Sequence, residues 1–146
     1  MNITYSNSIT VEDFNLLRKS VGWFEIREDN AKTGLENSVY IISAKNGNKT
    51  VGMARIISDG GYIAFIADVI VLPEYQGNGI GKTMMTFIMN YLRESINNGS
   101  FDYILVSLVA SKGKEKFYEK FGLITRPTDG LGAGMSVQLT KEDKQT

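Results

Sequence analysis

The run Val69-Ile70-Val71-Leu72-Pro73-Glu74-Tyr75-Gln76-Gly77-Asn78-Gly79-Ile80-Gly81-Lys82-Thr83 compresses an apolar strand, a sharp turn, three alternating glycines and a helix start into fifteen residues. Glycines let backbone N–H groups approach an anion with no Cβ in the way, and the helix N-terminus that follows adds partial positive charge at the same spot. The segment therefore reads as a cradle for a pyrophosphate. The competing reading is a plain strand-to-helix turn whose glycines serve close packing. Three glycines and a lysine opening the helix are more than such a turn needs.

Counting narrows the ligand. A P-loop requires a glycine five residues before Gly81-Lys82-Thr83, and that position is Gln76. A dinucleotide fingerprint requires G-x-G-x-x-G, and starting from Gly79 its third glycine falls on Met84. What remains is Q-x-x-G-x-G at Gln76, Gly79 and Gly81, which resembles the acetyl-CoA signature of the GNAT superfamily of N-acetyltransferases.

A second segment strengthens the resemblance. Lys114-Glu115-Lys116-Phe117-Tyr118-Glu119-Lys120-Phe121-Gly122-Leu123 follows a strand, closes a short helix at Gly122 and is similar to the late F-Y-x-x-x-G-F element of the same superfamily. The resemblance implies that Tyr118 reaches the CoA sulfur and protonates the leaving thiolate. On spacing alone, Phe117, Tyr118 and Phe121 also read as one apolar helix face. Ser111 stands where the family often has asparagine and Lys114 where alanine is usual; Ser111 is expected to cap the helix and hydrogen-bond the cofactor.

Composition removes rival chemistries. With 146 residues and 42% hydrophobic content, the chain is expected to form a single domain over residues 1–146, with a frayed charged tail at 141–146. Sixteen basic and sixteen acidic side chains balance, so no global field draws nucleic acid. Neither cysteine nor histidine is present, which removes disulfides, thiol catalysis, imidazole bases and the usual transition-metal ligands, so no metal is expected. Any general base must be a carboxylate, a tyrosine or water. No apolar stretch reaches the roughly 20 residues of a membrane span, and the polar opening is not a signal peptide, so the expected location is the cytoplasm, away from membranes.

Along the chain, Thr10 followed by Asp13 signals a helix start over about residues 11–20, with Phe14, Leu17 and Val21 on one face. Two strands flanking Asn46-Gly47, at residues 39–44 and 50–57, form a hairpin, and Ser58-Asp59-Gly60-Gly61 turns into a long strand from Tyr62 to Leu72. Residues 82–96 carry Met85, Ile88, Met89, Leu92 and Ile96 at helical spacing. The apolar run at residues 103–109 reads as a buried strand parallel to the one before that helix, and residues 135–139 as a final strand.

The fold class is α/β, and the resemblance implies a GNAT-like twisted mixed sheet of six or seven strands with about four helices. It further implies that the strands flanking the cofactor helix splay and that pantetheine lies in the gap. There the backbones of Val69 and Val71 pair with its amides, while N–H groups of Gln76, Gly77, Asn78, Gly79, Ile80, Gly81, Lys82 and Thr83 hold the pyrophosphate. The expected co-substrate is acetyl-CoA and the expected acceptor a primary amine of a small molecule or protein. A non-catalytic CoA-binding sensor or interaction module is the alternative, and a homodimer is compatible with the family.

Attack on a thioester needs a neutral amine, so a proton must leave an ammonium whose ordinary pKa is near ~10.4. Asp68, inside the otherwise apolar run Ile63-Ala64-Phe65-Ile66-Ala67-Asp68-Val69-Ile70-Val71, is the first candidate base; a structural aspartate binding its surroundings where the strands diverge is the equal alternative. Glu25 is the second candidate. It lies in Gly22-Trp23-Phe24-Glu25-Ile26-Arg27-Glu28-Asp29-Asn30, where Trp23 or Phe24 could stack on an acceptor that Glu25 attracts, or where the aromatics plug a corner of the core.

Overall fold

The computed structural model describes residues 1–99 and 102–141. The backbone forms two compact units, Met1–Leu108 and Val109–Thr146.

The first unit contains β1 (Ile3–Ser6), α1 (Val11–Ser20), α2 (Glu28–Glu36), β2 (Tyr40–Asn46), β3 (Lys49–Ser58), β4 (Ile63–Val71), a 3-10 turn (Pro73–Tyr75), α3 (Ile80–Asn97) and β5 (Leu105–Ser107). The sheet runs β1-β2-β3-β4-β5, antiparallel throughout except for the parallel β4–β5 pair. The Thr10 side chain accepts from Asp13 N at 3.1 Å and starts α1 as the sequence suggests. The Asp13 carboxylate instead accepts from Thr50 Oγ1 at 2.7 Å, tying α1 to β3.

Five strands, not six or seven, are present among the described residues, and residues 135–139 form no ladder. The strand expected over residues 103–109 is present but paired only at Leu105–Ser107, and it is not buried as expected, Leu105 being 41% exposed. In return, β1 was not anticipated, being four residues long and too short to show a period. Nor was α2, whose Asn30, Thr33 and Gly34 are weak helix formers and whose start carries no side-chain cap; only Ala31 and Leu35 are buried. The tail at residues 142–146 lies outside the described residues.

The core sits between the sheet and α3. Met84, Met85, Ile88 and Leu92 of α3 are buried with Val51, Met53, Ile56, Ala64, Ile66 and Ile70 of the sheet. Met84 extends to Gly52, where an added Cβ would meet its Cε at 3.1 Å and the Ile70 carbonyl at the same distance, so only glycine lets helix and sheet close this far. Phe14 and Leu17 are buried from α1. Among the described residues, no helix is long and apolar enough to cross a membrane.

One irregularity in β4 positions everything that follows. Met53 pairs with Ile70 and Arg55 with Ala67, so Asp68 and Val69 together oppose Ala54: a β-bulge. Asp68 takes the left-handed φ of 53°, a conformation that aspartate tolerates better than bulkier residues. Beyond Phe65, β4 has no register partner in β5, which pairs only with Ile63, Ala64 and Phe65.

The second unit is sparse. It holds α4 (Glu115–Glu119) and an isolated bridge between Thr128 and Leu131. None of its described residues is fully buried.

Candidate active site

After Val71 the chain enters the 3-10 turn, with Pro73 at its first position and Tyr75 N donating to the Leu72 carbonyl at 2.8 Å. The Gln76 Nε2 folds back to the Val71 carbonyl at 3.0 Å, and Asn78 Nδ2 donates to the Tyr75 carbonyl at 3.0 Å. Tyr75 is itself fixed, its hydroxyl accepting from Asn46 Nδ2 at 3.0 Å. Gln76 and Asn78 thus serve the loop with their side chains and leave its amides free.

Gly77 and Gly79 take φ of 82° and 80°, which an L side chain rarely adopts, and nothing lies within 4 Å of where a Cβ would sit on either. The first hydrogen bond of α3 is Thr83 N to the Gly79 carbonyl at 3.0 Å. Among the described residues, the N–H groups of residues 77–82 therefore have no acceptor. Consecutive unpaired amides on a left-handed turn, ending at a helix N-terminus, form an anion-binding concavity. Ile80 is buried and pins the helix start, whereas Lys82 is exposed and Thr83 half-buried at the rim. A groove of about 440 Å³ continues from Asn78 and Gly79 along Lys82, Thr83, Thr86, Phe87 and Asn90.

The edge of β4 lies directly before this loop. Residues 66–71 have no strand neighbour on the β5 side among the described residues, and Val69 and Val71 both fall in that stretch. An unpaired strand edge of this kind can accept hydrogen bonds from, and donate them to, the amides of an extended ligand.

Asp68 is clasped rather than free. Its Oδ2 accepts from Arg55 Nε at 2.7 Å and its Oδ1 from Arg18 Nη1 at 3.2 Å, with all three side chains largely buried. Arg55 Nη1 also donates to the Gly34 carbonyl at 3.1 Å and to Ser38 Oγ at 3.0 Å, so the cluster joins α1, the end of α2, β3 and β4. Arg18 and Arg55 escaped the sequence analysis. Arg55, set between Ala54 and Ile56 in an apolar strand, carried the same signal as Asp68: a charge that must find a partner.

Arg18 also organises the segment after α1. Its Nε donates to the Phe24 carbonyl at 2.9 Å, and its guanidinium lies 5.4 Å from the ring centroids of both Trp23 and Phe24. Asn15 fastens Ile26 through both of its backbone groups, at 2.9 Å each. Trp23 is half-buried, while Phe24 is 68% exposed. Glu25 is exposed and pairs with Lys19 at 3.3 Å. Beside it runs a groove of about 360 Å³ lined by Val11, Glu12, Asn15, Leu16, Glu25 and Glu28, of which only Glu25 was singled out from sequence. Three carboxylates and two aliphatic side chains line it.

In the second unit, Tyr118 lies on α4 with its ring edge-on to Phe117 at 5.0 Å, and Phe117 in turn packs against Phe121 at 5.6 Å. Burial of the phenol pushes its pKa above the ordinary value of 10.0. Tyr118 therefore keeps its proton at neutral pH. Ser111 does not cap α4 as expected: Lys114 occupies the cap position without a side-chain bond, and Ser111 contributes only its carbonyl, which accepts from Lys114 N at 2.9 Å. The glycine at 113, with φ of 89°, turns the chain so that the backbone makes this closure.

The chain matches the acetyltransferase (GNAT) family over residues 8–123. It is 34% identical over 133 residues to the uncharacterized N-acetyltransferase ycf52 of Pyropia yezoensis, covering 88% of this chain and 72% of that one. A probable acetyltransferase of unknown function from meticillin-resistant Staphylococcus aureus superposes with a TM-score of 0.82 at 30% identity, covering 94% of this chain and all (100%) of that one. A GNAT family acetyltransferase from Streptococcus pneumoniae gives 0.67 at 26% identity, covering 97% and 98%. This chain belongs to the GNAT family of acetyltransferases.

Proposed function

We propose that this protein transfers the acetyl group of acetyl-CoA to a primary amine by direct attack. The observation that carries the reading is the row of uncommitted amides at residues 77–82, reached directly from an unpaired β4 edge. A diphosphate answers the first and the two amides of pantetheine answer the second; few other ligands offer both groups in line. The residues present fit coenzyme A, with Lys82 adding charge beside a phosphate.

Bound there, the co-substrate supplies an acetyl group activated as a thioester. The residues of the chain supply the rest. An N–H of the open β4 edge polarises the carbonyl, and Tyr118, a phenol protonated at neutral pH, is the group proposed to return a proton to the leaving sulfur. The acidic groove beside Glu25 attracts the cationic acceptor, and Trp23 and Phe24 offer rings for an apolar body. Of the two roles considered for Asp68, the contacts with Arg18 and Arg55 support positioning: both oxygens are engaged in holding the bulge that opens β4. The amine then loses its proton to water or to a carboxylate of the groove.

Thiol release from acetyl-CoA, followed across polyamines, aryl-alkyl amines, aminoglycosides and peptide N-termini, tests this reading. Release dependent on an amine is the expected result. Binding of acetyl-CoA without release for any amine would instead make the protein a CoA-binding module.

A further inference from the structure

The chain contains three Asn-Gly steps, at 46–47, 78–79 and 98–99, and the last two stand at opposite ends of α3. Asparagine is chemically labile, most of all before glycine, whose nitrogen reaches the carboxamide carbon with no side chain in the way. The fold treats the three steps differently. At 98–99 the Gly99 N–H is committed to the Ile96 carbonyl at 3.0 Å, and the step lies at the negative end of the helix. At 46–47 Asn46 is half-buried and paired with Lys49 in the β2–β3 ladder, its Nδ2 is held on the Tyr75 hydroxyl at 3.0 Å, and no helix begins there. At 78–79 both residues are exposed, the Gly79 N–H has no acceptor among the described residues, and nothing lies within 4 Å of a Cβ built on Gly79. This step also sits at the positive end of α3, which favours the anionic nitrogen that cyclisation requires.

We propose that Asn78 is a deamidation site whose conversion closes the anion cradle in protein that holds no co-substrate. The Gly79 nitrogen, its proton given to hydroxide, bonds to Asn78 Cγ; the Cγ–Nδ2 bond breaks, and the departing nitrogen takes a proton from water and leaves as ammonia. Water then opens the cyclic imide at either of its carbonyls, leaving an aspartyl or an isoaspartyl residue at position 78. Either product puts a carboxylate beside the unpaired amides of residues 77–82. It also removes a donor. Asn78 Nδ2 gives hydrogen bonds to the Tyr75 carbonyl at 3.0 Å and the Gln76 carbonyl at 3.4 Å, and a carboxylate repels both oxygens. The new charge and the lost brace act in the same direction, against a diphosphate. A phosphate oxygen on the Gly79 N–H keeps that nitrogen from attacking, so occupancy protects the site. Idle protein is thereby retired while protein in use is spared. That consequence, though not the reaction at Asn78, rests on the function proposed above.

The full-length protein is aged without ligand in mildly alkaline buffer, and peptide mass spectrometry follows the three steps separately. Conversion at Asn78 is expected to run at least ~10-fold faster than at Asn46 or Asn98. Equal rates at the three, or a faster rate at either of the others, would overturn the site. Ageing in saturating acetyl-CoA should slow conversion at Asn78 alone; an unchanged rate in protein that calorimetry shows to bind would overturn protection by occupancy. In the ligand-free sample, the number of sites binding acetyl-CoA at the fresh affinity should fall in step with the converted fraction. Asn78→Asp should bind at least ~10-fold more weakly with its far-UV spectrum retained, and a folded variant of undiminished affinity would overturn the switch. Asn78→Ser, compared with its own fresh sample, should keep its sites on ageing; losing them at the wild-type rate would place the damage elsewhere. Fresh wild type that binds no acetyl-CoA would overturn the proposed function and the switch together, while the mass readout still decides the modification on its own.

Discussion

Arg55 Nε and Asp68 Oδ2 lie 2.7 Å apart, and the carboxylate so held belongs to the one residue outside glycine with a left-handed backbone among those described. The ion pair and the bulge are a single device. A side chain that must face two guanidiniums fixes where the extra residue of β4 is inserted, and the bulge lies past Phe65, the last β4 residue with a β5 partner.

Asp68→Asn is accordingly expected to destabilise the protein by about 2–4 kcal/mol, because two largely buried arginines lose their charge partner. Urea midpoints measure it. Arg55→Ala should produce a comparable loss and should not add to Asp68→Asn in the double variant, since the two share one interaction. Full additivity would show that the pair contributes nothing as a pair.

Gly79→Glu places both a strained backbone and a negative side chain at the head of α3. Calorimetry with acetyl-CoA should show affinity reduced at least ~100-fold, as expected when a charge of the wrong sign occupies an anion site. The fold itself should lose only about 1–2 kcal/mol from the forced φ.

Tyr118→Phe removes the proposed proton donor while preserving the edge-on ring contact with Phe117. Turnover is expected to fall roughly 10²- to 10³-fold with affinity for acetyl-CoA unchanged. The same substitution changes the alkaline limb of stability. The folded phenol titrates above the unfolded one, so the native state retains a proton that the unfolded chain has lost, and stability declines as pH rises past about 10. In the difference between wild type and Tyr118→Phe, that decline should appear only above the unfolded value; below it the two curves run parallel.

Phe24→Ala and Phe14→Ala separate a ring offered to solvent from one inside the core. Phe24 is 68% exposed and Phe14 only 3%. Thermal unfolding should register a loss of about 3–5 kcal/mol for Phe14→Ala and little for Phe24→Ala. Steady-state kinetics of Phe24→Ala should instead show a raised KM for aromatic amines. An unchanged KM would remove Phe24 from the acceptor site.

The glycine loop, the hairpin, which turns at Gly47-Asn48 one residue past the expected Asn46-Gly47, and the buried face of α3 were legible because each is a local pattern whose physics is complete within a few residues. Of the three glycines read there, Gly77 and Gly79 take the left-handed φ that glycine adopts readily, whereas Gly81 lies inside α3. What sequence did not reveal was long-range. Arg18 and Arg55 meet Asp68 across 50 and 13 positions, and no spacing rule connects them. Ser111 looked like a cap because serine is a good one, yet the turn at Gly113 closes through the backbone and moves the cap to Lys114. The missing strands have a physical cause too: alternation at residues 135–139 states a preference for pairing, not the partner.

The additional residue at Asp68 and Val69 also switches the parity of β4. Phe65 and Ala67 before it, and Ile70 after it, point to the same side of the sheet, although 67 and 70 differ by an odd number. The chain thus enters the Pro73 turn in the opposite phase to the one in which it left the Ser58 turn, and the aim of every amide from Gly77 onward inherits that half-step. Removing one residue between Phe65 and Ile70 would leave composition and length of the strand almost untouched, yet it would rotate the whole anion cradle to the wrong side of its own sheet.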